Sequence, residues 1–199
     1  MLKDLTVQDK EEVLPTGADV LKVISTTAPQ QQVQQQVQGQ TDVNTQAAVV
    51  PTFGVEEDIK ASYSAVIKTS KGDINLTLFG KDAPNTVKNF ITKAKSGYYK
   101  ELLFHRVEDW VVQGGDPKGD GTGGGQMQTE INNLPFVEGS LGVARRGDIK
   151  VSNDSQFFIT KSESSHLNGQ YTNFGIVTNG MDVVKKMEIG DKILGIEIE

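Results

Sequence analysis

Residues 74–79, INLTLF, alternate apolar and polar side chains with period two, the signature of a strand with one buried face. The preceding run, residues 63–69, YSAVIKT, reads as a partner strand. Ser70-Lys71-Gly72-Asp73 between them supplies turn chemistry, so the two are expected to form a hairpin. The period then changes. After Asp82-Ala83-Pro84-Asn85, the apolar residues Val87, Phe90, Ile91 and Ala94 fall at helical spacing up to Ser96, and Gly97 is a stop signal. Short apolar runs at 102–107, 110–113, 141–145, 156–160 and 173–177 read as strands, 182–187 as a short helix, and 193–198 as a closing strand. Gly114 to Gly125 holds seven glycines and reads as loop. The pattern predicts a mainly β domain: a closed eight-stranded antiparallel barrel capped by two helices.

Composition changes the picture at the N-terminus. Twelve of the 13 aromatic residues and 18 of the 21 glycines lie after position 60. Residues 30–40, QQQVQQQVQGQ, are low-complexity and too poor in apolar side chains to build a core. Residues 1–61 are therefore expected to form an N-terminal extension, largely disordered, and 62–199 the folded domain. The net charge of −6 is concentrated in that extension: residues 1–60 carry −5 and the remainder −1. A near-neutral domain without a basic aromatic-interleaved run argues against nucleic-acid binding. Cysteine is absent, which excludes disulfides, thiolate ligands and a cysteine nucleophile. His105 and His166 are the only histidines and have no carboxylates at metal-ligand spacing, so no metal site is expected. No signal peptide or spanning segment is visible. A cytoplasmic location is expected, or an extracytoplasmic one if a leader or anchor has been removed.

Three constellations carry chemistry. The first is Phe104-His105-Arg106-Val107-Glu108-Asp109-Trp110-Val111-Val112-Gln113-Gly114-Gly115-Asp116. The second is Ser155-Gln156-Phe157-Phe158-Ile159, and the third runs from His166-Leu167-Asn168 through Gln170-Tyr171 to Gly175. In this order, over residues 62–199, they resemble the cyclophilin family of prolyl isomerases. The resemblance implies a cyclophilin-like barrel, rotation of X–Pro peptide bonds as the activity, no cofactor, and proline-containing peptides and unfolded or flexible proteins as partners of a monomeric enzyme. Rotation about such a bond faces a barrier near ~20 kcal/mol because amide resonance must be broken, yet no covalent bond changes. A fixed cation that hydrogen-bonds the pyramidal proline nitrogen stabilises the twisted amide over the planar one.

Arg106 matches the family's catalytic arginine, a residue type that stays charged and aims its donors. Gln113 matches the glutamine that orients the substrate backbone and the arginine. Trp110, Val111, Phe158 and Leu167 match the proline pocket, Ala144 and Arg145 the rim, and Gln156 lies beside the groove. His105 and Tyr171 match supporting positions. His105, though counted with the catalytic group, reads as a hydrogen-bonded structural histidine, since the reaction needs no proton transfer. His166 reads as a rim residue. Phe157 should face the core, opposite Phe158. Each reading has a plainer rival: Arg106 as a surface ion-pair partner, Trp110 and Phe158 as core.

The chain departs from the family pattern between Arg106 and Gln113, which is one residue shorter than in familiar eukaryotic members, with Trp110 for a phenylalanine. His166 stands where a tryptophan important for cyclosporin is common, so cyclosporin binding is expected to be weak. Gly119-Asp120-Gly121-Thr122-Gly123-Gly124 satisfies G-x-G-x-x-G but opens no helix, so a nucleotide site is rejected. Two alternatives to an isomerase remain: a proline-peptide-binding module, and a tethered chaperone with the glutamine-rich segment as spacer.

Overall fold

The computed structural model describes residues 59–199. The expected disordered extension, apart from its last three residues, lies outside the described residues. Nine strands and two helices follow in the order β1 (Tyr63–Thr69), β2 (Gly72–Leu78), α1 (Pro84–Lys95), β3 (Leu103–Val107), β4 (Val111–Asp116), β5 (Gln126–Gln128), β6 (Ser140–Arg145), β7 (Val151–Thr160), β8 (Asn173–Asn179), α2 (Met181–Lys185) and β9 (Ile193–Ile198), with one 3-10 turn at Ser165–Leu167. All pairings are antiparallel.

The sheet runs β3-β4-β7-β6-β8-β2-β1-β9, with β5 hydrogen-bonded to β7 off that path. It curls into a half-barrel. Its two end strands meet through an isolated bridge, Leu103 with Lys192, and not through a ladder. The eight strands expected are those of the path. The ninth, β5, is three residues long, too short for a periodicity to show. Gly114–Asp116, expected as loop, continue β4, because Gly114 pairs with Phe104 and Phe157 and Asp116 with Leu103.

The inner face of the sheet and α1 enclose one core. Phe90 from α1 meets Tyr99, Phe157 and Phe174 with ring centroids 5.2, 5.7 and 5.3 Å away, and Phe104 meets Phe157 edge-on. Ile67, Ile74, Leu76, Leu78, Leu141 and Ile159 fill the space between. Helix α1 has Pro84 in its first turn but no capping side chain of its own at Ala83. Glu130 from a distant loop substitutes. Its carboxylate accepts from the Asn85 and Thr86 backbone N–H groups at 3.0 and 2.7 Å, satisfying orphan donors at the positive end of the helix. Among the described residues no helix is long and apolar enough to cross a membrane.

Candidate active site

The site lies on the outer face of four adjacent strands, and strand register builds it. Gln113 on β4 pairs with Phe158 on β7, and Phe158 with Gly142 on β6. Directly paired residues share a face, so these three form an outer row. Gly114, Phe157 and Val143 form the inner row beneath it. Gly142 leaves room for the Phe158 ring, which a Cβ there would displace.

Arg106 joins the outer row through a β-bulge. Phe104 pairs with Gly114 and Arg106 with Gln113, so two steps along β3 match one step along β4. In a regular ladder Arg106 would pair with Val112 and point into the core with Phe104. The extra residue, His105, turns Arg106 outward beside Gln113. Gly115 absorbs a second irregularity on β4, at a φ of +81°, where an added Cβ would strike the Ser155 carbonyl.

A polar chain follows the row. Arg106 Nη1 donates to Gln113 Oε1 at 3.2 Å, Gln113 Nε2 to Gln156 Oε1 at 3.0 Å, and Gln156 Nε2 to the Gly123 and Gly121 carbonyls at 2.9 and 3.2 Å. Each amide has its oxygen towards the arginine and its nitrogen towards the glycine-rich loop, so one polarity runs through the chain. That loop is held in turn by the buried carboxylate of Asp116, which accepts the Lys118, Asp120 and Gly121 N–H groups. On its other edge Arg106 Nε donates to Glu108 Oε1 at 2.7 Å, and Glu108 Oε2 accepts from Trp110 Nε1 at 2.9 Å. Arg106 Nη2 has no hydrogen-bond partner among the described residues.

A second apolar cluster, separate from the core, walls the hollow. Val111, Ala144, Phe158 and Leu167 are buried in it, with Trp110 and Tyr171 packed alongside. Phe136, unforeseen in the sequence, stacks on Phe158 at 5.7 Å and fixes that ring from behind. Arg106, Gln113 and Arg145 complete the lining of a hollow with an empty volume, mouth included, of about 350 Å³. Arg145 sits 4.4 Å over the Tyr171 ring and donates to the carbonyls of Gln170 and Arg146.

Thus nine of the anticipated residues share one hollow. The other three do not line it: Gln156 stands behind Gln113, His166 lies edge-on to Trp110 at 5.3 Å, and His105 occupies the bulge. His105 Nδ1 is buried and makes no well-aligned hydrogen bond among the described residues, although the Leu103 backbone lies close enough to favour the charged ring. Burial holds its pKa below the usual histidine value, against the opposing pull of the Asp116 carboxylate. Glu108 was the other residue missed, although its place two residues after Arg106 and two before Trp110 was the available signal.

The half-barrel thus sets a guanidinium and the Gln113 amide beside an apolar slot, a hollow suited to a small apolar group flanked by hydrogen-bonding atoms. The comparisons make the class specific. Residues 64–194 match the family model for cyclophilin type peptidyl-prolyl cis-trans isomerase/CLD, and the chain belongs to that family. A peptidyl-prolyl cis-trans isomerase of Synechococcus elongatus is 41% identical over 139 residues, 67% of this chain and 94% of the relative. One from Helicobacter pylori is 43% identical over 145 residues, 69% of this chain and 88% of the relative. The chain spans only a quarter of a longer Rhizopus delemar relative, peptidyl-prolyl cis-trans isomerase-like 2 (42% identical over 139 residues, 65% of this chain). Among solved structures, a Cryptosporidium parvum cyclophilin type isomerase superposes with a TM-score of 0.65 at 33% identity, covering 69% of this chain and 98% of its own. The same protein in the presence of the dipeptide Ala-Pro gives 0.64 at 32%, covering 68% and 98%. The described residues are thus a cyclophilin-type peptidyl-prolyl cis–trans isomerase domain.

Proposed function

We propose that the hollow between Arg106 and Phe158 binds an X–Pro segment and catalyses its cis–trans rotation. The observation that carries this is the outer row Arg106–Gln113–Phe158–Gly142, which sets a cation against an apolar slot across four strands. The proline ring packs on Phe158 between Trp110, Val111 and Leu167. Gln113 holds the substrate backbone. As the amide twists, its nitrogen becomes pyramidal and accepts a hydrogen bond from Arg106, whose Nη2 is free to give one. That contact exists only in the twisted state, so it lowers the barrier instead of tightening ground-state binding. Lowering it by about 5 kcal/mol accelerates rotation roughly 10³–10⁴-fold. Proline-containing peptides and flexible segments of client proteins are the proposed substrates, the Ala-Pro dipeptide in the Cryptosporidium structure being a minimal example of the class.

The test is Arg106→Ala in an isomerisation assay on an Ala-Pro peptide. Loss of one such donor costs about 10²–10³-fold in turnover, while the melting temperature stays near wild type because Arg106 is 42% exposed and its ion pair lies at the surface. Retained activity removes Arg106 from the mechanism. Unchanged peptide affinity with lost turnover separates catalysis from a module that only binds.

Weak cyclosporin binding belongs to the same reading. His166 rests against Trp110 and does not line the hollow, so it offers less apolar surface there than an indole. Nanomolar inhibition in the peptide assay would refute it. Monomeric action in the cytoplasm completes the proposal; sedimentation and cell fractionation check those two points.

A further inference from the structure

We propose that Glu108 is a positioning residue of this site: one carboxylate holds both Arg106 and Trp110, fixing the catalytic guanidinium against the tryptophan wall of the proline slot. The proposal rests on the isomerase reading and adds a residue to it. Glu108 uses separate oxygens for its two partners, Oε1 for Arg106 Nε at 2.7 Å and Oε2 for Trp110 Nε1 at 2.9 Å, so both bonds exist at once. The guanidinium carbon stands 5.5 Å from the Trp110 ring centroid, closing a three-membered cluster.

The clamp is itself anchored. The Glu108 N–H donates to the Val111 carbonyl at 2.9 Å, and the Glu108 carbonyl accepts from Lys161 Nζ at 2.8 Å. The Lys161 N–H in turn donates to the Trp110 carbonyl at 2.7 Å. The backbone carrying the carboxylate is therefore tied to β4 and to the end of β7. This happens within the shortened segment after Arg106, the connection between β3 and β4, where the side chains of Arg106, Glu108 and Trp110 converge.

Two effects of the carboxylate oppose each other. A negative charge beside Arg106 offsets part of the field that stabilises the twisted amide. Holding the guanidinium at Nε, while Gln113 holds Nη1, fixes the plane of a long flexible side chain. Both partners of the ion pair are more than 40% exposed, so water screens the first effect. Orientation is not screened, and misplacement by an ångström costs catalysis heavily. Orientation therefore wins, and removing Glu108 slows the enzyme.

The test uses the full chain, in which Trp110 is the sole tryptophan and so an intrinsic fluorophore. Wild type, Glu108→Gln and Glu108→Ala are compared for kcat and KM on an Ala-Pro peptide, and for tryptophan emission against pH. Glu108→Ala is expected to lose roughly 5- to 20-fold in kcat with KM little changed. Glu108→Gln retains one acceptor and falls between. The wild-type emission shifts as the carboxylate protonates at acid pH, below the usual glutamate range because Arg106 hydrogen-bonds the charged form. Both variants lack that step. Trp110 also faces His166, Arg106 and the neighbouring Asp109; any step these add is common to all three proteins. Equal kcat and equal emission titrations in wild type and Glu108→Ala would overturn the clamp and leave the isomerase reading standing. A wild type without turnover but with the carboxylate step would break the isomerase reading, and the catalytic role of Glu108 with it. A change confined to the melting temperature would make Glu108 merely structural and also overturn the proposal.

Discussion

Phe157 and Phe158 are neighbours on β7 with the same side chain and nearly the same burial, 2% and 5% exposed, yet they belong to different parts of the molecule. Phe157 faces inward among Phe90, Tyr99 and Phe104, where edge-on rings surround it. Phe158 faces outward, stacked on Phe136 behind and met edge-on by Tyr171, with one side bordering the open hollow. The inner face is enclosed by protein; the outer one borders an open hollow. On the proposed reading, one strand serves stability on one face and recognition on the other, so substitutions one residue apart should separate the two.

Phe157→Ala should separate the two faces most strongly. Removing a fully enclosed ring leaves a cavity that the rigid sheet cannot refill, at about 3–5 kcal/mol. Denaturant unfolding should record that loss, whereas peptide KM measured on the remaining folded protein should stay near wild type. A loss under about 1 kcal/mol would show the inner face to be loosely packed and the contrast false.

Gly142→Ala tests the outer face from beneath. The new methyl enters the space of the Phe158 ring, and overpacking of this kind costs about 1–3 kcal/mol. Unlike the inner ring, Phe158 has a direction in which to yield: the hollow. Peptide KM should rise by roughly tenfold, equivalent to about 1.4 kcal/mol of lost slot. Unchanged KM with the full stability loss would mean that Phe158 does not form the floor of the slot.

What was legible in the sequence follows the same division. Period two along 74–79 and helical spacing from Val87 to Ala94 report which residues face a core, and β2 and α1 stand where that pattern put them. Hydrophobic alternation also separates Phe157 from Phe158. It fails at Arg106. Two residues from Phe104, Arg106 should share its inward face, and only the bulge at His105 turns it out; a bulge depends on the partner strand, which a local pattern does not contain. The candidate site was assembled from motifs resembling a family, nine of whose matching residues line one hollow, and periodicity alone would not have grouped them. The Glu130 cap on α1, the Phe136 support behind Phe158 and strand β5 were invisible for a related reason. Each depends on residues brought together from more than 20 positions apart.

His105, between the two faces, supplies the smallest effect. Its ring is partly buried in the bulge, with Asp116, Asp120 and Arg106 as the charged groups around it. Burial favours the neutral ring, so the folded protein releases the proton at a lower pH than the unfolded chain does. Between the folded value and the ordinary ~6.5, the unfolded chain binds more protons, and stability rises with pH. The contribution is therefore complete above about pH 6.5 and is lost as pH falls through the folded value. Asp116 and Asp120 limit it by attracting the proton. Melting temperatures between pH 5 and 7.5 should fall towards acid in wild type and fall less in His105→Gln, which fills the bulge without titrating. Parallel slopes for the two proteins would show that His105 carries no proton-linked stability, and that the bulge turns Arg106 outward through backbone geometry alone.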